Sequence, residues 1–289
     1  MGRQVNFCRV AAVTTNEYAR VNLFPVRRKS AKRGAKKKPT SAVQARLNDE
    51  RSQNHMADLL HLNFTPDDME AGLDYSEFTR PETWEDTKRI MRNFMIRLKK
   101  AWAKATGRKP AEFKYIVVTE RSSTGKWHHH CAFTGGLDAL EIQAVWKQGR
   151  VETEPLWFDE NGVCALAHYI TKGRYSYRRW SASRNLLQPV EKTSDSRLTL
   201  KELRYINEHP DDIGYIEERF PGWCVAPKGI RTAAIREEEA EMEEGHQVPI
   251  LPFVSVFLYR KGNPYFTRHP SGEITYHHHR NWRENFAQV

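Results

Sequence analysis

Three consecutive histidines, His128-His129-His130, sit inside Trp127 to Phe133, a segment that reads as the returning strand of a hairpin. Successive side chains on a strand face opposite sides. His128 and His130 therefore share a face with Ala132, while His129 points away with Cys131 and Phe133. Two imidazoles two positions apart on one face can hold one metal ion together. Glu120 ends the preceding strand, directly across the turn from His128, and can supply a carboxylate to the same ion. Imidazoles with a hard oxygen ligand and open positions suit Mg²⁺ or Mn²⁺, and the absence of a nearby thiolate does not favour zinc. A pairing that used His129 would break the same-face geometry, so His128 and His130 are the expected pair.

The second chemical element is Tyr169-Ile170-Thr171-Lys172. Residues three apart on a helix are neighbours on one face, which sets Tyr169 beside Lys172. Tyrosine is a poor nucleophile at its ordinary pKa of about 10, but a nearby ammonium or metal ion favours the phenolate. Further on, Arg178, Arg179 and Arg184 with Trp180 between them form a basic, aromatic stretch suited to single-stranded DNA by phosphate contact and stacking. Tyr175 and Tyr177 are rival nucleophiles, set after Gly173 and off the helix. His277-His278-His279 has no partner at same-face spacing and reads as a surface or nucleic-acid contact.

These residues need a frame, and the periodicities supply one. Residues 41–64 predict a helix, and a short strand is expected around Leu73 to Tyr75. Thr83 or Glu82, after Pro81, begins a long amphipathic helix with Ile90, Phe94, Leu98 and Ala101 on its apolar stripe. Its Lys and Arg residues lie largely outside that stripe and read mostly as a solvated face. Gly107 and Pro110 end it. Tyr115 to Glu120 is a strand rich in β-branched residues, and RSSTGK (121–126) is turn chemistry. A short helix over 138–148 follows, then a strand near Val151 and Leu156-Trp157-Phe158, then a helix over 163–172 stopped by Gly173. Beyond Pro189 come a helix near 199–207, the acidic run EEEAEMEE (237–244) and an aromatic-rich end.

Charge points to a polyanionic partner. The 289 residues carry 46 Lys+Arg against 36 Asp+Glu, a net charge of +10, and the pI is near 9.4. Residues 27–38 hold eight basic groups and no acid, with little to bury, and read as a mobile arm. The arm is either a solvated tail or a nonspecific phosphate clamp. Residues 88–184 hold nineteen Lys/Arg against eight Asp/Glu. No stretch reaches the ~18 apolar residues of a membrane span, and the mean hydropathy of −0.74 agrees. The first twenty residues lack an export signal pattern. Cys8, Cys131, Cys164 and Cys224 are scattered singly, which supports neither a disulfide framework nor a zinc knuckle. STGKW (123–127) lacks the upstream glycine and following Ser/Thr of a nucleotide-binding loop, so a fused helicase is not expected.

The segment His128-His129-His130-Cys131-Ala132-Phe133 resembles the HUH motif of rolling-circle replication initiators, in which U is a bulky, usually hydrophobic residue. Glu120, eight residues before the first histidine, is similar to their metal-binding carboxylate, and Tyr169-Ile170-Thr171-Lys172 looks like their single-tyrosine motif. Asn63-Phe64, Leu73-Asp74-Tyr75, Arg97-Leu98, Lys114-Tyr115, Trp146 and Ser183-Arg184-Asn185-Leu186 with Pro189 look like further landmarks of the initiators of bacterial plasmids, phages and integrative elements. The resemblance covers roughly residues 60 to 190. Two departures stand out: His129 holds the usually aliphatic position, and Asp74 stands where such proteins usually have Thr.

The resemblance implies an α+β fold, with a central antiparallel sheet flanked by helices and an accessory C-terminal region. It implies a metal-dependent endonuclease and strand transferase, with Glu120, His128 and His130 as metal ligands and Tyr169 as nucleophile. Lys172 would orient the tyrosine or the phosphate. The expected organisation is a basic arm and leading helix over 1–57, the endonuclease domain over 58–190, and an accessory region over 191–289. Expected partners are single-stranded origin DNA, a host helicase and a polymerase, with no membrane, in the bacterial cytoplasm beside the replicon. The competing readings are a non-catalytic DNA-binding autorepressor on the same fold and a related transposase or relaxase.

Overall fold

Local sequence signals set most element boundaries in the computed structural model, which describes residues 5–27, 42–122, 124–169, 180–232 and 253–277. The chain runs β1 (Val5–Thr14), β2 (Tyr18–Arg27), α1 (Ala42–Asn63), β3 (Met69–Asp74), α2 (Trp84–Thr106), β4 (Tyr115–Arg121) and β5 (Trp127–Phe133). It continues through α3 (Ala139–Trp146), β6 (Val151–Pro155), α4 (Cys164–Tyr169), β7 (Trp180–Ala182), β8 (Glu191–Ser194), α5 (Leu200–Glu208) and α6 (Ile213–Arg219). The strands β9 (Trp223–Arg231), β10 (Val254–Arg260), β11 (Phe266–Arg268) and β12 (Ile274–Tyr276) complete it. The fold is α+β, with antiparallel sheets flanked by helices. Among the described residues, no helix is long and apolar enough to cross a membrane.

Two units divide the chain. One comprises residues 62–159, 163–188 and 268–289, the other residues 1–61, 160–162 and 189–267. In the first, five strands pair in the order β6-β3-β5-β4-β7. Helix α2 starts where Thr83 Oγ1 accepts a hydrogen bond from the Asp86 backbone N–H, with Glu85 and Asp86 complementing the positive end of the helix dipole. It ends at Gly107, whose left-handed conformation lets its N–H reach the Ala103 carbonyl. Its stripe of Met91, Phe94, Leu98 and Trp102 packs with Ile142 and Trp146 of α3 against Ala71, Leu73, Val117, Cys131 and Phe133. Two indoles buried in this core donate to backbone carbonyls, Trp102 to Gly135 and Trp146 to Asp74, each at 2.8 Å. The second bond pins the end of β3.

The other unit has a sheet of its own, in the order β8-β1-β2-β10-β9. Leu203, Ile206 and Ile216 of α5 and α6, with Phe220 just after α6, pack on Val10, Val21, Leu23, Val254 and Val256. On the opposite face Tyr18 stacks on His61 of α1 with ring centroids 4.6 Å apart, and Arg20 pairs with the buried Asp58. Hydrophobic periodicity assigned no strand to residues 5–27, yet they form two ten-residue strands, and β2 pairs with β10 more than two hundred residues away. The strand expected to reach Leu156-Trp157-Phe158 ends at Pro155. Leu156 and Phe158 are instead buried from a loop, held by the Leu156 N–H donating to the Asp68 carbonyl at 2.8 Å. The basic arm beyond Arg27 and the acidic run at 237–244 lie outside the described residues.

Candidate metal centre

The β4–β5 hairpin turns through Ser122, whose N–H donates to the Lys126 carbonyl at 2.8 Å, and through Gly125 at φ 78°. This tight turn sets the register: Glu120 lies opposite His128, and Val118 opposite His130. On the other side of β5, Asp74 lies opposite His128 and Gly72 opposite His130. The alternation of the pleat then puts Glu120, His128, His130, Asp74 and Gly72 on one face of the sheet.

Glu120, His128 and His130 each offer a ligand atom, and the three atoms lie within 4.8 Å of one another. His128 Nε2–H donates to Glu120 Oε2 at 3.1 Å, and His130 Nε2 lies 3.8 Å from the same oxygen. The imidazole rings are nearly perpendicular, with centroids 5.3 Å apart. A side chain at Gly72 would meet no atom within 4 Å, so the strand beside His130 leaves open space. A cavity of about 190 Å³ opens there, bordered by His130, Glu70, Glu152, Glu154 and Leu166 of α4. Two imidazoles and a carboxylate converging beside open volume suit a divalent ion that keeps coordination positions for other oxygen ligands.

His129 occupies the opposite face and is fully buried. Both of its ring nitrogens have hydrogen-bond partners at 2.8 Å, Tyr75 Oη at Nε2 and Thr119 Oγ1 at Nδ1. Its ring stands edge-on to Trp146. Burial pushes its pKa down to about 3, so it is a neutral core histidine.

Electrostatics divide the other two histidines. The hydrogen bond that His128 donates to Glu120 raises its pKa against the effect of burial, helped by the charges of Glu120 and Asp74. Burial dominates at His130 and lowers its pKa. Without metal, Glu120→Gln is expected to bring the His128 pKa down, read by NMR titration of its ring protons. The sign follows from linkage. His128 stabilises the metal-free fold below its unfolded pKa, and that contribution fades as pH rises through the raised folded value. The same proton competes with an ion for Nε2, so ion affinity falls as pH drops through that value.

The remaining expected site residues are placed as follows. Helix α4, whose Leu166 borders the cavity, carries Tyr169 as its last residue. Lys172, Arg178 and Arg179 lie outside the described residues, as do the rival Tyr175 and Tyr177. Trp180 opens β7, paired with Val118 of β4. Arg184 follows that strand and is exposed. His277 is exposed, and His278 and His279 lie outside the described residues.

Sequence reasoning passed over two carboxylates on this face. Asp74 enters the sequence reading within a landmark and as a departure from a motif, not as a member of the site, although it flanks His128 across the strand pair. Glu70 lies opposite Glu154 of β6, and its burial, with the Glu154 charge added, raises its pKa to about 7. Only the register of β3 identifies both, and no local pattern encodes that register.

No curated protein and no solved structure gives a match to this chain. Residues 72–174, which run from Gly72 through the Glu120, His128 and His130 cluster and past the end of α4, match the family described as replication-associated protein ORF2/G2P.

Proposed function

We propose that this chain initiates rolling-circle replication by nicking single-stranded origin DNA. The observation that carries the reading is the convergence of Glu120, His128 and His130 inside the segment that matches a family of replication-associated proteins. A divalent ion, Mg²⁺ or Mn²⁺, held by these three would polarise the scissile phosphate and offset charge in the transition state. Tyr169 attacks the phosphorus with its phenolic oxygen, and the bond from phosphorus to the 3′ oxygen breaks. The phenolic proton passes to the departing oxygen, which leaves a 5′-phosphotyrosine and a free 3′-hydroxyl for a polymerase. Attack by a later 3′-hydroxyl reverses the exchange, joins the strand and releases Tyr169. Lys172 orients the tyrosine or the phosphate, while Arg178, Arg179, Trp180 and Arg184 hold the strand by charge and stacking. Unwinding falls to a partner helicase, and the work takes place in the bacterial cytoplasm at the replicon.

The test is a covalent-adduct assay with end-labelled oligonucleotides tiling the DNA that flanks the gene, with Mn²⁺ or with EDTA. A metal-dependent shift of the protein on a denaturing gel, absent in Tyr169→Phe, is the expected result. An adduct that persists in Tyr169→Phe would move the nucleophile to Tyr175 or Tyr177. Tight, salt-sensitive binding with no adduct on any tile would make the chain a non-catalytic DNA binder.

A further inference from the structure

The opposite face of the same sheet holds a second feature, which shares only Trp180 with the residues of the proposed nicking reaction. Tyr115, Val117 and Thr119 alternate along β4 with Ile116, Val118 and Glu120, so they face away from the metal cluster. Between them and α2 lies a groove of about 620 Å³, within the ~300–1,000 Å³ of sites that enclose small organic ligands. Its floor is apolar, formed by Met91, Met95 and Val117, with Trp84, Tyr115 and Trp180 also on its wall.

One wall is cationic. Lys88, Arg92 and Lys99 line the groove from α2, and Ile96 between them is half-exposed. Positions 88, 92, 96 and 99 fall three or four apart, which puts them on a single helix face. From residue 87 to residue 106 the chain has seven basic residues and no acidic one. Arg97 turns away, donating to the Val145 carbonyl of α3 at 3.3 Å. Lys88 meets Glu85 in an exposed pair at 2.9 Å, a kind of contact that polyanions displace readily because it is worth little in water. No hydrogen bond or ion pair with a described residue engages Arg92 or Lys99. From Trp84 to Lys99 the helix extends about 22 Å. A cationic rail beside an apolar floor with ring faces is the arrangement that tracks phosphates while bases lie on apolar and aromatic surface.

We propose that this groove is a binding site for single-stranded polynucleotide, separate from the metal cluster and on the other side of the sheet. Its occupation requires neither the ion nor Tyr169, so it stands whether or not the chain nicks DNA. An acidic polypeptide would satisfy the same cations but would not use the rings as stacking platforms.

The test measures binding of fluorescein-labelled dT20 by anisotropy in EDTA, with the full chain and with Lys88→Gln/Arg92→Gln/Lys99→Gln. The triple variant is expected to bind about tenfold or more weaker at 100 mM KCl. Its log–log salt slope should be shallower by about two, from three lost phosphate contacts at about 0.7 each. Trp84→Leu is expected to weaken binding severalfold at every salt concentration with the slope unchanged, the mark of a stacking contact. Thermal melts check that each variant folds. Because the assay runs in EDTA, it reads the groove with no ion at the metal cluster, so the groove and the nicking reaction can fail independently. Unchanged affinity and slope in the triple variant would overturn the proposal. So would competition by polyglutamate equal to that of dT20 together with normal dT20 binding by Trp84→Leu, which would make the groove a docking surface for acidic polypeptide.

Discussion

Glu120→Gln is expected to lower the affinity for Mn²⁺ by about 100-fold or more, measured by calorimetry at pH 7.5. Groups that merely support metal ligands are already worth about 10–100-fold, and Glu120 is the single anionic donor among the three converging residues. The amide keeps the shape of the side chain and a carbonyl oxygen, so the loss reports charge rather than packing. His130→Ala is expected to match it, because His130 supplies one of two imidazoles on this face. His129→Gln is the discriminating control. Its side chain is buried on the opposite face between Tyr75 and Thr119, so ion affinity should stay within severalfold of the parent while thermal stability falls. Equal losses of ion affinity in His129→Gln and His130→Ala would mean that the register, and with it the cluster, is wrong.

The contrast between adjacent histidines shows which parts of the site a sequence can carry. The two-residue period of a strand separates His128 and His130 from His129 with no knowledge of neighbours, and the short turn of the β4–β5 hairpin brings Glu120 opposite His128. Those relations are local. Asp74 and Gly72 reach the same face only through the pairing of β3 with β5, more than fifty residues apart, and a one-residue slip in that pairing would put other side chains there. One partner of His129, Tyr75, is hidden for the same reason, since it follows β3, whereas Thr119 lies opposite His129 in the hairpin itself.

The same distinction runs through the fold. Thr83 and Gly107 bound α2 because capping chemistry acts within a few residues. The pairing of β1 with β8 and of β2 with β10, strands far along the chain, depends on complementary faces with no motif of their own. The apolar run Leu156-Trp157-Phe158 misled for a related reason. Burial from a loop and burial from a strand look alike in composition, and only the end of the β3–β6 ladder at Met69 and Pro155 tells them apart. The cations of α2 read as a solvated face because an amphipathic pattern marks the side turned to the core. It is silent on whether the edge of that side meets water or a groove.

Acidification is expected to destabilise the metal-free protein through two histidines buried as neutral rings. His61 stacks on Tyr18 in one unit and His129 lies under the hairpin in the other. Burial lowers each pKa to about 3, with the Arg20 charge adding at His61 and the neighbouring histidines at His129. The sign is set by which state binds the proton. Below the unfolded value near 6.5 the unfolded chain protonates both rings and the folded chain neither, so stability falls as pH drops until the folded values near 3 are reached. Between pH 7 and pH 5 each contributes a loss of about 2 kcal/mol. His128 acts in the opposite sense, because its folded pKa is raised by Glu120, and offsets part of that loss. Urea denaturation at the two pH values should therefore show a smaller pH dependence in His61→Gln and in His129→Gln than in the parent, although both variants start less stable at pH 7. Each glutamine removes a titrating group from the unfolded chain, so a pH dependence identical to the parent's would mean that the replaced ring is protonated in the folded protein as readily as in the unfolded one.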